Sequence, residues 1–218
     1  MKRFLKWSLT KSKMAMNSSF RNWFWPLLCF CSMLVRGQKE KPVFDDDILG
    51  EIGVSYVLPQ AWGDNFVSKG YDLKNGLNVE GLVLITKKWQ VGAQYGYFKG
   101  NVTNIDAVGA ILSSRITHIH AVGGYSILGT TKFGIRTGLG IGYAKYNHKQ
   151  STTKLMDDGF SIATNVSFSY RLGNSMGIYA KLDHYWDFLS IDTAPELTDY
   201  FRRTQIFALS IGIKFYVF

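Results

Sequence analysis

Residues 133–143 read Phe-Gly-Ile-Arg-Thr-Gly-Leu-Gly-Ile-Gly-Tyr, and their alternation decides the fold class. One set of alternate positions holds apolar side chains and a threonine, whereas the other holds four glycines and Arg136. A period of two residues is typical of a β-strand with two unlike faces. Phe133 and Tyr143 end the apolar face; at ~3.3 Å per residue and a tilt near ~40° their spacing covers roughly 25 Å, the height of a membrane barrel's apolar band. The stretch therefore predicts a membrane-spanning strand whose glycine-rich face points into a cramped polar interior.

The first 37 residues form a separate segment with the features of an export signal. They carry seven basic residues and no acidic one, and residues 23–35 are an apolar run of 13. Such a run is too short for a membrane-spanning helix and has the length of a signal peptide's apolar region. The small residues Val35 and Gly37 predict cleavage after Gly37, although an uncleaved anchor is the alternative interpretation. Translation could begin at Met1, Met14 or Met16.

The charge and cysteine content of the chain belong largely to this predicted signal. The chain has 25 basic and 16 acidic residues, and removing the seven basic ones leaves 18 against 16, a net charge of +2. A nearly neutral mature chain has no electrostatic attraction to nucleic acid, so no nucleic-acid partner is expected. Cys29 and Cys31 also leave with the signal, so no disulfide or cysteine metal site is expected. Residues 38–47 are predicted to form a polar periplasmic lead-in, and residues 48–218 one domain.

Eight stretches of this domain alternate and predict eight β-strands: 48–58, 77–86, 89–98, 115–127, 132–146, 160–171, 176–186 and 204–218. The connections between them alternate strictly in length. The long ones are 59–76, 99–114, 147–159 and 187–203, the short ones 87–88, 128–131 and 172–175, and every proline lies outside the predicted strands. This pattern indicates an all-β fold, an eight-stranded antiparallel transmembrane β-barrel with short periplasmic turns and long extracellular loops. Closure of such a barrel leaves no unpaired strand edge in lipid.

The alternation also assigns side chains to the two faces of the predicted barrel. An eight-stranded interior is only wide enough for side chains, so inward charges are predicted to pair and plug the lumen. The predicted lumen charge network comprises Glu51, Glu80, Arg136, Arg171, Lys181, Asp183 and Lys214. For Arg136 the expected partners are Asp183 and Glu80, with Glu51 third. The predicted aromatic girdle on the outer face comprises Trp89, Tyr95, Tyr97, Phe133, Tyr143, Phe168, Tyr170, Phe207 and Phe215.

A predicted signal, eight strands, Gly138-x-Gly140-x-Gly142 and a C-terminal aromatic strand resemble the small outer-membrane β-barrel family, the OmpA/OmpX-like or "porin family" domains. The resemblance covers residues 48–218. It implies a location in the Gram-negative outer membrane, contact with outer-membrane lipid, and insertion by the barrel-assembly machinery. In that family a terminal aromatic with apolar residues at alternate positions is the assembly signal. Here Phe218 and Tyr216 fit, but Lys214 interrupts that phase, so we expect a bulge near the strand's end or a Phe218 beyond the membrane face.

Candidate chemistry is sparse, and no catalytic, cofactor or metal site is expected. His118 and His120 lie on one strand face, where a metal would need further ligands such as His148 or His184; a lumen hydrogen-bond network is the favoured interpretation. A lipid A enzyme could use Asp183-His184 with Ser113 and Ser114, but no family motif is present. Gly138-x-Gly140-x-Gly142 lies inside a strand, which predicts steric relief rather than a nucleotide loop.

Three predicted loop segments, 65–67, 105–112 and 188–201, are unusually apolar, which indicates either a partner surface or loops that fold over the rim. The leading hypothesis is a non-catalytic outer-membrane barrel with a plugged lumen, acting structurally or through its extracellular loops. One alternative is an accessory subunit of an outer-membrane secretion or uptake complex, with a protein partner bound through the loops. The other is a lipid A-modifying enzyme.

Overall fold

The computed structural model describes residues 48–150 and 154–218, which form one closed antiparallel β-barrel. The predicted signal peptide (1–37) and lead-in (38–47) lie outside the described residues. Each strand pairs with its sequence neighbours, and the last strand closes on the first. The strands are β1 (Gly50–Trp62), β2 (Tyr71–Leu84), β3 (Trp89–Val102), β4 (Ser113–Gly129), β5 (Phe133–Lys149), β6 (Lys154–Arg171), β7 (Met176–Leu189) and β8 (Arg203–Val217). None of the helices in the described ranges has the length and hydropathy needed to cross a membrane.

The two faces of the barrel wall have opposite polarity to those of a soluble barrel. On β8, Ile211 is 59% exposed on the outside, whereas Lys214 is 3% exposed on the inside. On β5, Leu139 and Ile141 face outward and Arg136 faces inward. An apolar exterior around a polar interior is the arrangement that lipid requires, because only the interior can satisfy charged groups.

The two ends of the barrel differ in the length of their connections. At one end, which we call the turn end, residues 85–88, 130–132 and 172–175 join the strands tightly. At the other, the loop end, the connections include three short α-helices: α1 (Phe66–Gly70), α2 (Ile105–Val108) and α3 (Thr198–Arg202), the last preceded by a 3-10 turn at Pro195–Leu197. The loop end therefore carries nearly all of the non-strand structure among the described residues.

The predicted connection 147–159 is wrong, because β5 and β6 stay paired through Asn147↔Met156 to Lys149↔Lys154. Most outward residues of this segment are polar, so its sequence lacks the alternation of apolar and polar side chains that predicts a strand. Backbone hydrogen bonds can extend the strand pairing without that alternation. Asp187, expected in a loop, lies within β7, because the β6–β7 and β7–β8 ladders continue past Trp186. Pro59, expected outside the strands, lies within β1. It follows the last β1–β2 pair, Val57↔Gly76, so at this position β1 pairs only with β8. A strand tolerates proline at such an edge-like position.

The C-terminal strand ends at Val217, so Phe218 lies just beyond it. Register shifts occur instead in β2, between Lys74 and Gly76, and in β4, between Ser126 and Leu128. The β7–β8 and β8–β1 ladders run without a shift over their described lengths. Of the two expectations for this strand, the described ladders show no bulge near its end, and the position of Phe218 relative to the membrane face stays a prediction.

Candidate functional site: the barrel interior and its loop-end cover

Arg136 is the centre of a buried group of charged side chains in the barrel interior. Its guanidinium donates hydrogen bonds to Glu51, to Glu80 Oε1 at 2.9 Å and to Gln90 Oε1 at 3.1 Å. Three strands besides β5 supply these acceptors. All of the contacts lie inside the barrel, where an unpaired charge would be costly.

Two lysines extend the group to both sides of Arg136. Lys214 Nζ lies 2.9 Å from Glu51 Oε2, and Lys181 Nζ lies 2.8 Å from Glu80 Oε2 and 3.4 Å from Asp183 Oδ2. We call the resulting set of three cations and three carboxylates the central charge cluster; its members are Glu51, Glu80, Arg136, Lys181, Asp183 and Lys214. Cations and carboxylates alternate along it, so its formal charge is balanced.

Six of the seven predicted lumen charges thus come together, and Arg171 does not join them. Its guanidinium lies at the turn end, where Nη2 donates to the Asn174 carbonyl at 2.7 Å, and it stands 4.9 Å from the Tyr216 ring. Asp183 contacts Lys181 rather than Arg136, whereas Glu51, the third expected partner of Arg136, contacts it directly. Only the stagger of neighbouring strands decides which inward residues meet across the lumen.

Glycines leave the space that these inward side chains and their neighbours occupy. A Cβ on Gly124 would lie 2.9 Å from Arg136 Cδ, so β4 rather than β5 makes room for the arginine. On β5, a Cβ on Gly138 would approach the Asn165 amide at 2.8 Å, and one on Gly140 would approach His120 Cβ at 3.2 Å. The glycine-rich face of β5 therefore accommodates neighbours on β4 and β6.

A second buried group surrounds Asp187, between the central charge cluster and the loop end. His118 Nε2 lies 3.0 Å from Asp187 Oδ2, and Ser161 and Tyr146 donate hydroxyl hydrogen bonds to its carboxylate at 2.6 Å each. His120 Nε2 lies 2.9 Å from Ser161 Oγ. The two histidines thus lie in a hydrogen-bond network. Sequence reasoning missed Asp187 because it assigned this residue to a loop.

No group of three or more His, Cys, Asp or Glu side chains in residues 48–150 and 154–218 is arranged to hold a metal ion. The Asp183-His184 pair is split between the faces: Asp183 is buried inside, and the His184 ring lies outside, 4.0 Å from the Phe207 ring. Ser114 Oγ does lie 2.5 Å from His148 Nδ1, and His148 Nε2 lies 2.9 Å from Asp157. However, Ser114 is 3% exposed, which keeps a substrate from reaching its hydroxyl in this conformation.

The loop-end helices lie over the barrel interior. From α1, Phe66 and Val67 are buried, and the Phe66 ring lies 6.2 Å from that of Tyr146 and 5.6 Å from that of Phe201. The Asn65 side chain caps α1 by accepting hydrogen bonds from the backbone of Val67 and Ser68. We call this packed layer of α1, α2 and α3 the loop-end cover. Part of each apolar loop thus folds inward, while Ile105, Leu112 and Leu197 remain exposed.

The turn end, in contrast, opens into a cavity of about 330 Å³. Its lining includes Glu51, Arg136 and Lys214 of the central charge cluster, and Arg171 and Tyr216 from the rim. Water entering from this end therefore reaches one side of the central charge cluster.

The comparisons with known proteins fit this geometry. A family model described as "Domain of unknown function (DUF2715)" matches residues 67–217, which is most of the barrel. The chain belongs to the DUF2715 family. No protein with a curated function matches it in sequence.

Solved structures share the fold of this DUF2715 barrel. Neisserial surface protein A aligns with a TM-score of 0.58 at 10% identity, covering 77% of this chain and 97% of that one. OprG from Pseudomonas aeruginosa gives 0.53 at 14%, covering 78% and 97%. Ail, the attachment invasion locus protein of Yersinia pestis, gives 0.51 at 12%, covering 78% and 99%. The predicted fold class and resemblance to small outer-membrane barrels are confirmed.

All nine predicted girdle aromatics lie on the outer face of the DUF2715 barrel. Trp89, Phe133, Phe168, Tyr170 and Phe215 lie in the half nearer the turn end, Tyr97, Tyr143 and Phe207 nearer the loop end, and Tyr95 midway along β3. The Phe133 and Tyr170 rings pack at 4.9 Å across β5 and β6. The sequence reading missed Tyr125, whose ring lies 4.9 Å from that of Trp89.

Proposed function

We propose that this DUF2715 barrel spans the outer membrane of a Gram-negative cell, and that it is a non-catalytic protein with a plugged lumen that acts structurally or through its extracellular loops. The inverted polarity of its wall carries the proposal, because a continuous apolar exterior needs lipid around it. The short connections at the turn end fit the periplasmic side, and the three longer, helix-bearing connections of the loop end fit the outside.

Two layers of packed side chains support a plugged lumen. The central charge cluster and the network around Asp187 occupy successive levels of the interior, and the loop-end cover lies above them. Eight strands leave little space beyond such side chains. The cavity at the turn end is consequently a blind recess rather than part of a channel.

A topology measurement tests the membrane assignment. Cys29 and Cys31 lie in the predicted signal, so an introduced cysteine would be the exported protein's one thiol. Asp192→Cys, in an exposed loop-end position, should react with a membrane-impermeant maleimide on intact cells. The matched variant Asn174→Cys, in a turn-end connection, should react only after the outer membrane is broken. Equal labelling of both variants on intact cells would contradict the proposal.

The exposed apolar residues of the loop end favour one second candidate, an accessory subunit of an outer-membrane secretion or uptake complex. Ile105 is 62% exposed, and Leu112 and Leu197 share the loop end with it. Exposed apolar side chains on a loop surface suit a protein partner. A stoichiometric partner recovered in mild detergent from cells with the native chain, and lost with Ile105→Ser/Leu112→Ser, would select this candidate.

Insertion itself is proposed to use the barrel-assembly machinery, with β8 as the recognised strand.

A further inference from the structure

Four basic side chains lie together on the outer face, near the loop end of β2, β3, β4 and β5. Lys74 is in register with Lys99, and Lys99 is in register with Arg115. Lys145 is in register with Thr117, which places it diagonally next to Arg115. We call these four residues the outer basic row.

The outer basic row lies just beyond the loop-end limit of the apolar band. On β3, Lys99 follows Tyr97 by two residues, and on β5, Lys145 follows Tyr143 by two residues, so each shares its strand face with the aromatic. The Arg115 guanidinium stands 5.7 Å from the Tyr97 ring. Aromatic rings mark the membrane interface, so the row lies at the level of lipid headgroups.

The acids beside the outer basic row neutralise only its ends. Asp72 contacts Lys74 Nζ at 2.5 Å, and Asp158 is in register with Lys145. Within the described part of the chain, the residues in register with Lys99 are Lys74 and Arg115, and those in register with Arg115 are Lys99 and Asn147. Like charges directly opposite each other on a sheet are destabilising. A bound anion would remove that repulsion.

We propose that the outer basic row binds the phosphate groups of anionic lipids in the leaflet at the loop end. Arg115 supplies a planar fork that matches a phosphate, and Lys99 supplies a mobile point charge beside it. The row lies at the level of the headgroups, on one side of the barrel across four strands, and its central cations are not neutralised. These three features fit the binding of a lipid headgroup. This inference rests on the proposed function, because it requires the barrel to span a membrane.

Native mass spectrometry of the folded protein in neutral detergent tests the inference with three lipids of identical acyl chains: phosphatidic acid, phosphatidylglycerol and phosphatidylcholine. We expect the two anionic lipids to bind more tightly than phosphatidylcholine. Lys99→Gln/Arg115→Gln should weaken their binding about 30-fold, the equivalent of ~1 kcal/mol for each cation near a charged headgroup. Phosphatidylcholine binding should not change.

Two further variants distinguish the effect of the outer basic row on lipid binding from the effect of the protein's overall charge. Lys69→Gln/Arg203→Gln removes two loop-end cations that already have acidic neighbours, Asp64 and Asp199, and should weaken binding less than about threefold. Asp72→Asn frees Lys74 and should strengthen anionic binding about fivefold, a gain that unfolding cannot produce.

Equal binding of all three lipids, or equal losses in the two double variants, would overturn the inference while leaving the membrane assignment intact. Failure of the unaltered protein to insert into vesicles of any of these lipids, seen as an unchanged gel mobility on heating, would instead overturn the proposed function.

Discussion

Replacing Arg136 by alanine tests both the central charge cluster and the facing of β5. The substitution removes one of three cations and leaves three buried carboxylates facing Lys181 and Lys214. We expect the barrel to lose stability, because the remaining interior carries an uncompensated negative charge. The loss should be smaller when Glu51 is removed as well, since that restores the balance.

The contacts set the expected magnitude. Breaking a buried ion pair by removing one partner costs about 3–5 kcal/mol. Glu51 keeps Lys214 at 2.9 Å and Glu80 keeps Lys181 at 2.8 Å, so neither carboxylate becomes isolated. The turn-end cavity also admits water beside Glu51. Both effects favour the lower limit, and we expect Arg136→Ala to lower the free energy of unfolding by about 3 kcal/mol.

Urea-induced unfolding of the barrel in phospholipid vesicles, followed by tryptophan fluorescence and gel mobility, measures this change. Double-mutant cycles of Arg136→Ala with Glu51→Ala and with Glu80→Ala should each show a coupling of about 1–2 kcal/mol. The cycle with Asp183→Ala should show less than about 0.5 kcal/mol, because Asp183 contacts Lys181 instead. Arg171→Ala, outside the cluster, is the control and should cost about 1 kcal/mol or less.

Two results would refute the reasoning. If the losses of stability were additive in the cycles with Glu51 and with Glu80, neither carboxylate would interact with Arg136. A stabilisation of roughly 2–4 kcal/mol on removing Arg136 is what a lipid-facing arginine predicts, and it would reverse the assigned face of β5.

Three further predictions concern the barrel as a whole. Reconstituted protein should show no steady single-channel steps in planar bilayers, whereas stable large conductances would mean an unplugged or wider pore. The protein should fractionate with outer membranes and migrate differently unheated and boiled; recovery as a detergent-free periplasmic protein would point to a soluble barrel. Gly142→Ala should lower stability by about 1–3 kcal/mol in urea unfolding, because its Cβ would overlap the Ile119 carbonyl oxygen, while Gly123→Ala, with open space around its Cβ, should have little effect.

Local alternation was enough to predict the eight strands and the two faces of the wall. On β8 the apolar phase from Phe207 to Val217 faces outward, and Lys214, which interrupts the opposite phase ending at Phe218, faces inward to Glu51. Side-chain direction in a strand follows from the period of two alone, so no tertiary information is needed to separate the faces. The lengths of the strands at the loop end were underestimated wherever the outward residues were polar.

The sequence by itself thus determined the fold class, the inward position of the charges and the absence of long connections at the turn end. Tertiary structure alone decided which charges meet: Glu51 rather than Asp183 beside Arg136, and Asp187 between His118, Tyr146 and Ser161. The physical reason is that facing is a property of each strand, whereas contacts across a lumen depend on the stagger of all eight strands around the closed barrel. That stagger is set by long-range pairing and by the register shifts in β2 and β4, which leave no local pattern in the sequence.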